Sequence, residues 1–250
     1  MRGSPPKALG FWHTGFGMSL PEFRSRRWVW PLSVFLIVAG GISAAAQSAK
    51  SVTFTLDFPG SDPSHYMISV SSDGHASYES NGRIAAGSEP QSDDFFRLDF
   101  TPSQALSVRI FELAKRAHYF EGEIETRKRG LASTGAKTLA YKEGTRSTQA
   151  NYNYSPLPAV QELTRTFQSI SATLEFGHRL EYYYRHQKLA LDDELKRMEE
   201  MAKSGDLEEL PAVAPILRKI LDDPTVINVV RYRARRLLLR AGKEDSAAGQ

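Results

Sequence analysis

Between Ser51 and Phe100, apolar and polar residues alternate with a period of two. Val52, Phe54, Leu56 and Phe58 share one side, with Thr53, Thr55 and Asp57 between them, which is the signature of a half-buried strand. A second run, Tyr66 to Val70, is separated by Asp73-Gly74 from a third, Ala76 to Glu79. Asp-Gly supplies the positive φ of a tight primed turn, so the two runs predict a hairpin. Asn81 to Asp93, rich in Gly, Ser, Pro and Asp, reads as a loop, and Phe96, Leu98 and Phe100 resume the alternation as a further strand.

The period then changes. Thr101-Pro102-Ser103-Gln104 predicts a helix start, with Thr as N-cap, Pro at the first helical position and Gln104 closing a capping box. Leu106, Ile110, Leu113 and Ala117 follow at helical spacing. After the basic loop Arg127-Lys128-Arg129-Gly130, Lys137 to Tyr141 and Arg146 to Tyr154 predict two strands around Glu143-Gly144, a second hairpin. Ser155-Pro156 opens a helix carrying Val160, Leu163, Phe167, Ile170 and Leu174 on one face. Strands and helices segregate instead of alternating strictly. The expectation is an α+β domain over residues 51–176, an antiparallel sheet with helices packed on one face.

Beyond Gly177 the pattern is helical. Leu180, Tyr184, Leu191, Leu195, Met198 and Ala202 line one side of a long helix ended by Gly205. Asp206-Leu207-Glu208-Glu209 reads as a fresh capping box, and Asp223-Pro224 as the start of a last helix bearing Val226, Val229, Val230, Ala234, Leu237 and Leu238. Residues 177–241 are thus expected as a C-terminal helical extension and 242–250 as a disordered tail. Charge separates here: residues 191–210 carry eight acids and three bases, residues 216–243 eight bases and two acids. Docking of the two stretches on each other is the economical account, each exposed pair adding about 0–1 kcal/mol. The extension also offers a surface for self-association.

Net charge matters only once it is located. The 250 residues hold 32 Lys plus Arg against 29 Asp plus Glu. Residues 1–46 contribute five of the bases (Arg2, Lys7, Arg24, Arg26, Arg27) and one acid (Glu22), leaving 27 bases and 28 acids, net −1. The basicity therefore belongs to the leader, and a near-neutral body argues against a nucleic-acid partner. Arg24, Arg26 and Arg27 precede an apolar run, Val29 to Ala46, which ends in Ala44-Ala45-Ala46 before Gln47. These are the three parts of a secretory signal, with Ala44 and Ala46 flanking an A-x-A cleavage site. Counted from Met18 the segment has an ordinary length, so Met18 is the expected start. The alternative is an uncleaved anchor through residues 29–46. Either reading puts the body outside the cytoplasm: periplasmic, secreted, or held at the inner membrane facing outward. With no cysteine, disulfides, thiolate metal sites and a cysteine nucleophile are excluded.

Two stretches resemble known classes. Ile216 to Leu239, with Asp222-Asp223-Pro224 between apolar helical stretches, resembles the inter-helix turn of a HEAT repeat over residues 206–240; it has no second copy, and such repeats need three or more units. The sheet region, 51–176, with its two hairpins and the helix ending at His118-Tyr119-Phe120, is similar to small secreted bacterial domains of unknown function. That resemblance implies export and carries no catalytic residues.

Candidate chemistry is sparse. Gly130-Leu131-Ala132-Ser133-Thr134-Gly135-Ala136-Lys137-Thr138 imitates a phosphate loop, but Ala136 intervenes before the lysine and a strand follows where a helix is needed. Ser133 and Lys137 are also one residue too far apart for Ser-x-x-Lys. Glu175 and His178 form one Glu-x-x-His step where a di-iron bundle needs two, and are expected as a helical ion pair or solvated face. His65, Asp73 and His75 flank the first hairpin, where turn chemistry accounts for Asp73. No metal or cofactor is expected. The candidate binding residues are Tyr152 and Tyr154, expected on one strand face, and Tyr182 and Tyr183 on the long helix, because tyrosine combines rigid apolar area with a polar tip. The leading expectation is an exported, envelope-associated, non-catalytic module binding an envelope protein or a glycan. The rival is an extracytoplasmic hydrolase with dispersed carboxylates, which a deep cavity lined by two or more carboxyl or imidazole groups would favour.

Overall fold

The computed structural model describes residues 49–84, 95–126, 128 and 130–248, with side chains as far as residue 243. The leader, with its cleavage residues Ala44, Ala46 and Gln47, and most of the loop after Arg83 lie outside the described residues. The strands are β1 (Ser51–Asp57), β2 (His65–Ser71), β3 (Ala76–Ser80), β4 (Phe96–Phe100), β5 (Ala136–Glu143) and β6 (Arg146–Tyr152). The helices are α1 (Gln104–Arg116), α2 (Pro158–His186), α3 (Leu191–Ser204), α4 (Ala214–Asp222) and α5 (Asn228–Ala248).

All strand neighbours are antiparallel, in the order β4-β3-β2-β1-β5-β6. The first four strands form a meander. Helix α1 then carries the chain back so that the β5–β6 hairpin adds to the free side of β1. Period-two patterning decides the faces: Val52, Phe54, Leu56, Tyr66, Ile68, Val70, Tyr78, Leu139 and Tyr141 turn inward, while Thr53, Ser69, Thr138 and Asn151 alternate outward and hydrogen-bond across strands. Helices α1 and α2 cover the inner face. Val160, Leu163, Phe167, Ile170 and Leu174 of α2 are fully buried, and Phe167 stacks on Phe54 at 5.3 Å. Truncating a ring so placed costs about 3–5 kcal/mol. The protein is an α+β fold, a six-stranded antiparallel sheet with helices on one face and further helices at its C-terminal end.

Several boundaries differ from the sequence reading, each for a local reason. The N-cap of α1 is Ser103, whose Oγ accepts from the Leu106 amide; Thr101 and Pro102 lie outside the helix. Residues 206–209 do not cap α4. Glu209 instead accepts hydrogen bonds from the amide and hydroxyl of Ser103, putting a carboxylate from 106 residues away at the positive end of α1, and Glu208 pairs with Arg109. Helix α2 begins at Pro158, two residues after Pro156, and runs through Gly177 to His186. Gly177 is there for space: a Cβ would stand 2.5 Å from Val213 Cγ1. The break comes at the turn 188–190, after which α3 begins and ends at Gly205 in the left-handed conformation. Asp223 holds its own turn by accepting from the Thr225 amide and hydroxyl, so α5 starts at Asn228, and it continues to Ala248 where a tail was expected.

The described residues belong to one compact unit, and the apolar core is continuous from Val52 to Ala241. The opposite charges of the C-terminal helices do meet: Arg233 donates to Asp192 and Glu199, and Arg236 to Glu199.

Candidate functional site

Helix α2 is the element around which the polar chemistry gathers. It is long enough to lie over the sheet with its first half and against the C-terminal helices with its second. Where it crosses β3, an inward-facing serine stands in an otherwise apolar row. Ser80 and Tyr78, both fully buried, donate to Glu175 Oε1 at 2.5 and 2.7 Å, and the Tyr78 hydroxyl also meets Ser171 Oγ at 2.9 Å. Gly82 allows the approach, since a Cβ there would overlap the Glu175 carboxylate. The nearest cation, Arg179, stands 3.9 Å from Oε2 and is itself engaged by Glu194 at 2.6 Å. Burial therefore pushes the Glu175 carboxyl above its ordinary range, and the Ser80 and Tyr78 hydrogen bonds only partly offset this. The same burial raises the Tyr78 phenol well above its usual value.

Phe96 of β4 separates this network from an open groove. It packs edge-on against Tyr78 at 5.9 Å on one side and stacks on His178 at 3.9 Å on the other. The groove encloses about 480 Å³ between β4, the second half of α2 and the start of α4. Leu98, Leu174, Val213 and Ile216 supply apolar walls; Glu181, Tyr182, Arg185 and His186 form the polar rim. Glu181 is tied by Lys219 at 2.9 Å and Arg185 at 3.3 Å. Beside the groove, β4 is an edge of the sheet, so among the described residues one row of its backbone groups has no strand neighbour.

Of the four tyrosines singled out from sequence, Tyr182 lies on this rim and contacts the His186 ring at 4.9 Å. Tyr183 is buried behind it. Tyr152 ends β6 facing the helices; it is buried, its hydroxyl paired with Thr164 and its phenol raised by desolvation. Tyr154 lies past the end of the strand, exposed, accepting from Gln161. Tyr152 and Tyr154 thus do not share a strand face, because the strand stops between them. The four residues form no common surface.

The remaining candidates resolve locally. Glu175 and His178 are not a solvated helical pair: one points into the sheet, the other stacks on Phe96. His65 pairs with Asp57 at 2.6 Å, directly opposite it in the β1–β2 register, while Asp73 accepts from the His75 amide. Lys137 sits in β5, where its ammonium donates to the carbonyls of Thr134, Gly135 and Asn153 and to the Thr134 hydroxyl. It closes the 130–135 turn, and burial lowers its pKa. Among the described residues no three His, Asp or Glu side chains are placed to hold a metal ion, and no helix is long and apolar enough to cross a membrane. The Glu175 network escaped the sequence reading. Its one signal was Ser80 at an inward position of β3, two residues after Tyr78.

No family model and no curated protein matches the chain. The fold and site together define a class only: an α+β scaffold with an apolar groove beside an edge strand.

Proposed function

We propose that the protein is an exported, envelope-associated, non-catalytic binding module that takes an extended segment of a partner polypeptide along the edge strand β4, beside α2. The observation that carries this reading is the apolar groove opening beside β4. An extended segment added to a sheet edge gains backbone hydrogen bonds and places alternate side chains into a neighbouring cavity, and about 480 Å³ holds one or two large apolar side chains. Export is supported by the basic, apolar and small-residue succession of residues 24–47. A polypeptide is favoured over a glycan because the walls are aliphatic and the Phe96 ring is already covered by His178.

Selection of peptides from a random displayed library tests this. Peptides with an apolar anchor are expected to bind, and Ala212→Trp, which fills the groove, is expected to weaken them about 10-fold or more. Tyr154→Ala, elsewhere on the surface, leaves binding unchanged. Selected peptides indifferent to Ala212→Trp would refute the assignment.

One observation favours the hydrolase reading: His178, Glu181 and His186 all line the groove. Glu181→Gln separates the two readings, since it abolishes hydrolysis if Glu181 is an acid or base and spares peptide binding if it is a rim ion pair.

A further inference from the structure

Eight cations lie between residues 216 and 243, and internal pairing uses only some of them. Arg233 and Arg236 are held by Asp192 and Glu199, Lys219 by Glu181, and Arg231 by the Leu221 carbonyl. Arg235, Arg240 and Lys243 are exposed and make no ion pair among the described residues, and neither does Lys203 at the end of α3.

These cations are organised around apolar side chains. Val229, Tyr232, Arg236, Leu239 and Lys243 recur along α5 at intervals of three, four, three and four, so they form one stripe. All five are exposed, Tyr232 by 58% and Leu239 by 64%. The opposite stripe, Val230, Ala234, Leu237 and Ala241, is buried in the core. Helix α5 is therefore fixed in place by one face and presents a second amphipathic face outward. Where α5 runs beside the end of α3 the two helices enclose a groove of about 590 Å³. Its floor includes Ala202, Leu237 and Leu239, and its rim Lys203, Arg236, Arg240 and Lys243. Among the described lining residues the one acid, Glu199, is neutralised by Arg233 and Arg236.

We propose that this face of α5, with the groove it forms against α3, docks on an anionic phospholipid bilayer. Phosphates on the basic rim and acyl chain on the Leu239 floor satisfy both halves of the surface at once, as in an interfacial helix lying in the headgroup plane. A soluble polyanion such as RNA answers the cations and could stack a base on Tyr232, but it leaves the exposed aliphatic side chains Val229 and Leu239 unexplained. This surface shares no lining residue with the groove along α2, so it stands whatever that groove binds.

The absence of native cysteine gives a local test in the full chain. Leu239→Cys is labelled with an environment-sensitive fluorophore, with Val108→Cys on α1, 55% exposed, as the control label. Phosphatidylglycerol vesicles are expected to shift the emission of the Leu239 label to the blue and leave the Val108 label unmoved; phosphatidylcholine vesicles shift neither. Reversing Arg235, Arg240 and Lys243 to Glu in the labelled chain is expected to weaken the response about 100-fold or more. All three side chains are exposed, and circular dichroism checks that the fold survives. Because the leader is common to every variant, insertion through it cannot mimic the difference. A Leu239 label that stays unshifted, responds equally to both lipids, or ignores the charge reversal overturns the proposal. So does complete competition by inorganic phosphate or RNA, which would make the surface a polyanion site.

Discussion

Glu175 and Glu199 are both nearly sealed from water, 2% and 6% exposed, yet they shift in opposite directions. Under the sheet, Glu175 is held by two neutral hydroxyls, so burial dominates and its carboxyl rises above the ordinary glutamate value. Between α3 and α5, burial pushes Glu199 up as well, but hydrogen bonds from Arg236 and Arg233 outweigh it and the net shift is downward. Depth alone therefore does not fix the charge state; the donors do. The α2–sheet contact is an apolar interface with a polar inlay. The α3–α5 contact is one in which charge itself is a structural component, and that difference is what separate substitutions can break.

The largest effect is expected at Glu199. Glu199→Ala leaves Arg236 with no carboxylate and Arg233 with only Asp192, and removing one member of a buried pair costs about 2–4 kcal/mol when the arginines are partly exposed. A carboxyl whose folded pKa is depressed stabilises above its unfolded value and loses that contribution as pH falls through the folded value. The gap between wild type and variant in urea unfolding should therefore be full at neutral pH and narrow below about pH 4. A gap that is constant down to pH 3 would assign the loss to packing and dissolve the contrast with Glu175.

Tyr78→Phe addresses the other interface with a smaller expected cost, about 1–2 kcal/mol. It removes the hydroxyl shared by Ser171 and Glu175 without disturbing the ring that packs on Tyr66 and Phe96. Because one donor to the carboxylate is lost, the Glu175 carboxyl should titrate higher still, read by carbonyl infrared difference spectra. An unchanged titration would mean that Ser80 alone governs the group.

Much of this architecture was legible from periodicity. The inward row of β1 and the buried stripe of α2 are set by spacing alone, because a residue on the wrong face would expose its apolar surface. The docking of the two charged helices was likewise legible in their opposite net charges. What spacing did not convey was anything fixed by a partner distant in the chain. Ser103 caps α1 and is held in turn by Glu209, so a local capping box at Thr101 was the natural but wrong inference. Gly177 reads as the boundary between the sheet domain and the helical extension until Val213 is seen against it. The buried carboxylate depends on β3, nearly a hundred residues before it, and nothing near Glu175 marks it as inward. The tyrosines make the same point: composition selects them, but only packing separates the rim residue Tyr182 from the core residues Tyr152 and Tyr183.

Glu175→Gln is the finest test, because its expected effect is small and of opposite sign. The folded carboxyl binds its proton more tightly than the unfolded one, whose ordinary value is 4.5. Wild-type stability from this group is thus complete below that pH, declines as pH rises toward the raised folded value, and is level above it. Glutamine has nearly the shape of the protonated acid and still accepts from Ser80 and Tyr78, but it cannot ionise. Arg179 keeps Glu194 as its partner at 2.6 Å, so the amide does not strand a cation. The variant should match wild type near pH 4 and exceed it at pH 8 by on the order of 1 kcal/mol, read as the difference in urea midpoint across that range. A difference that is flat with pH would put Glu175 on the same footing as Glu199, ionised in comfort, and would require a cation closer to it than Arg179 stands.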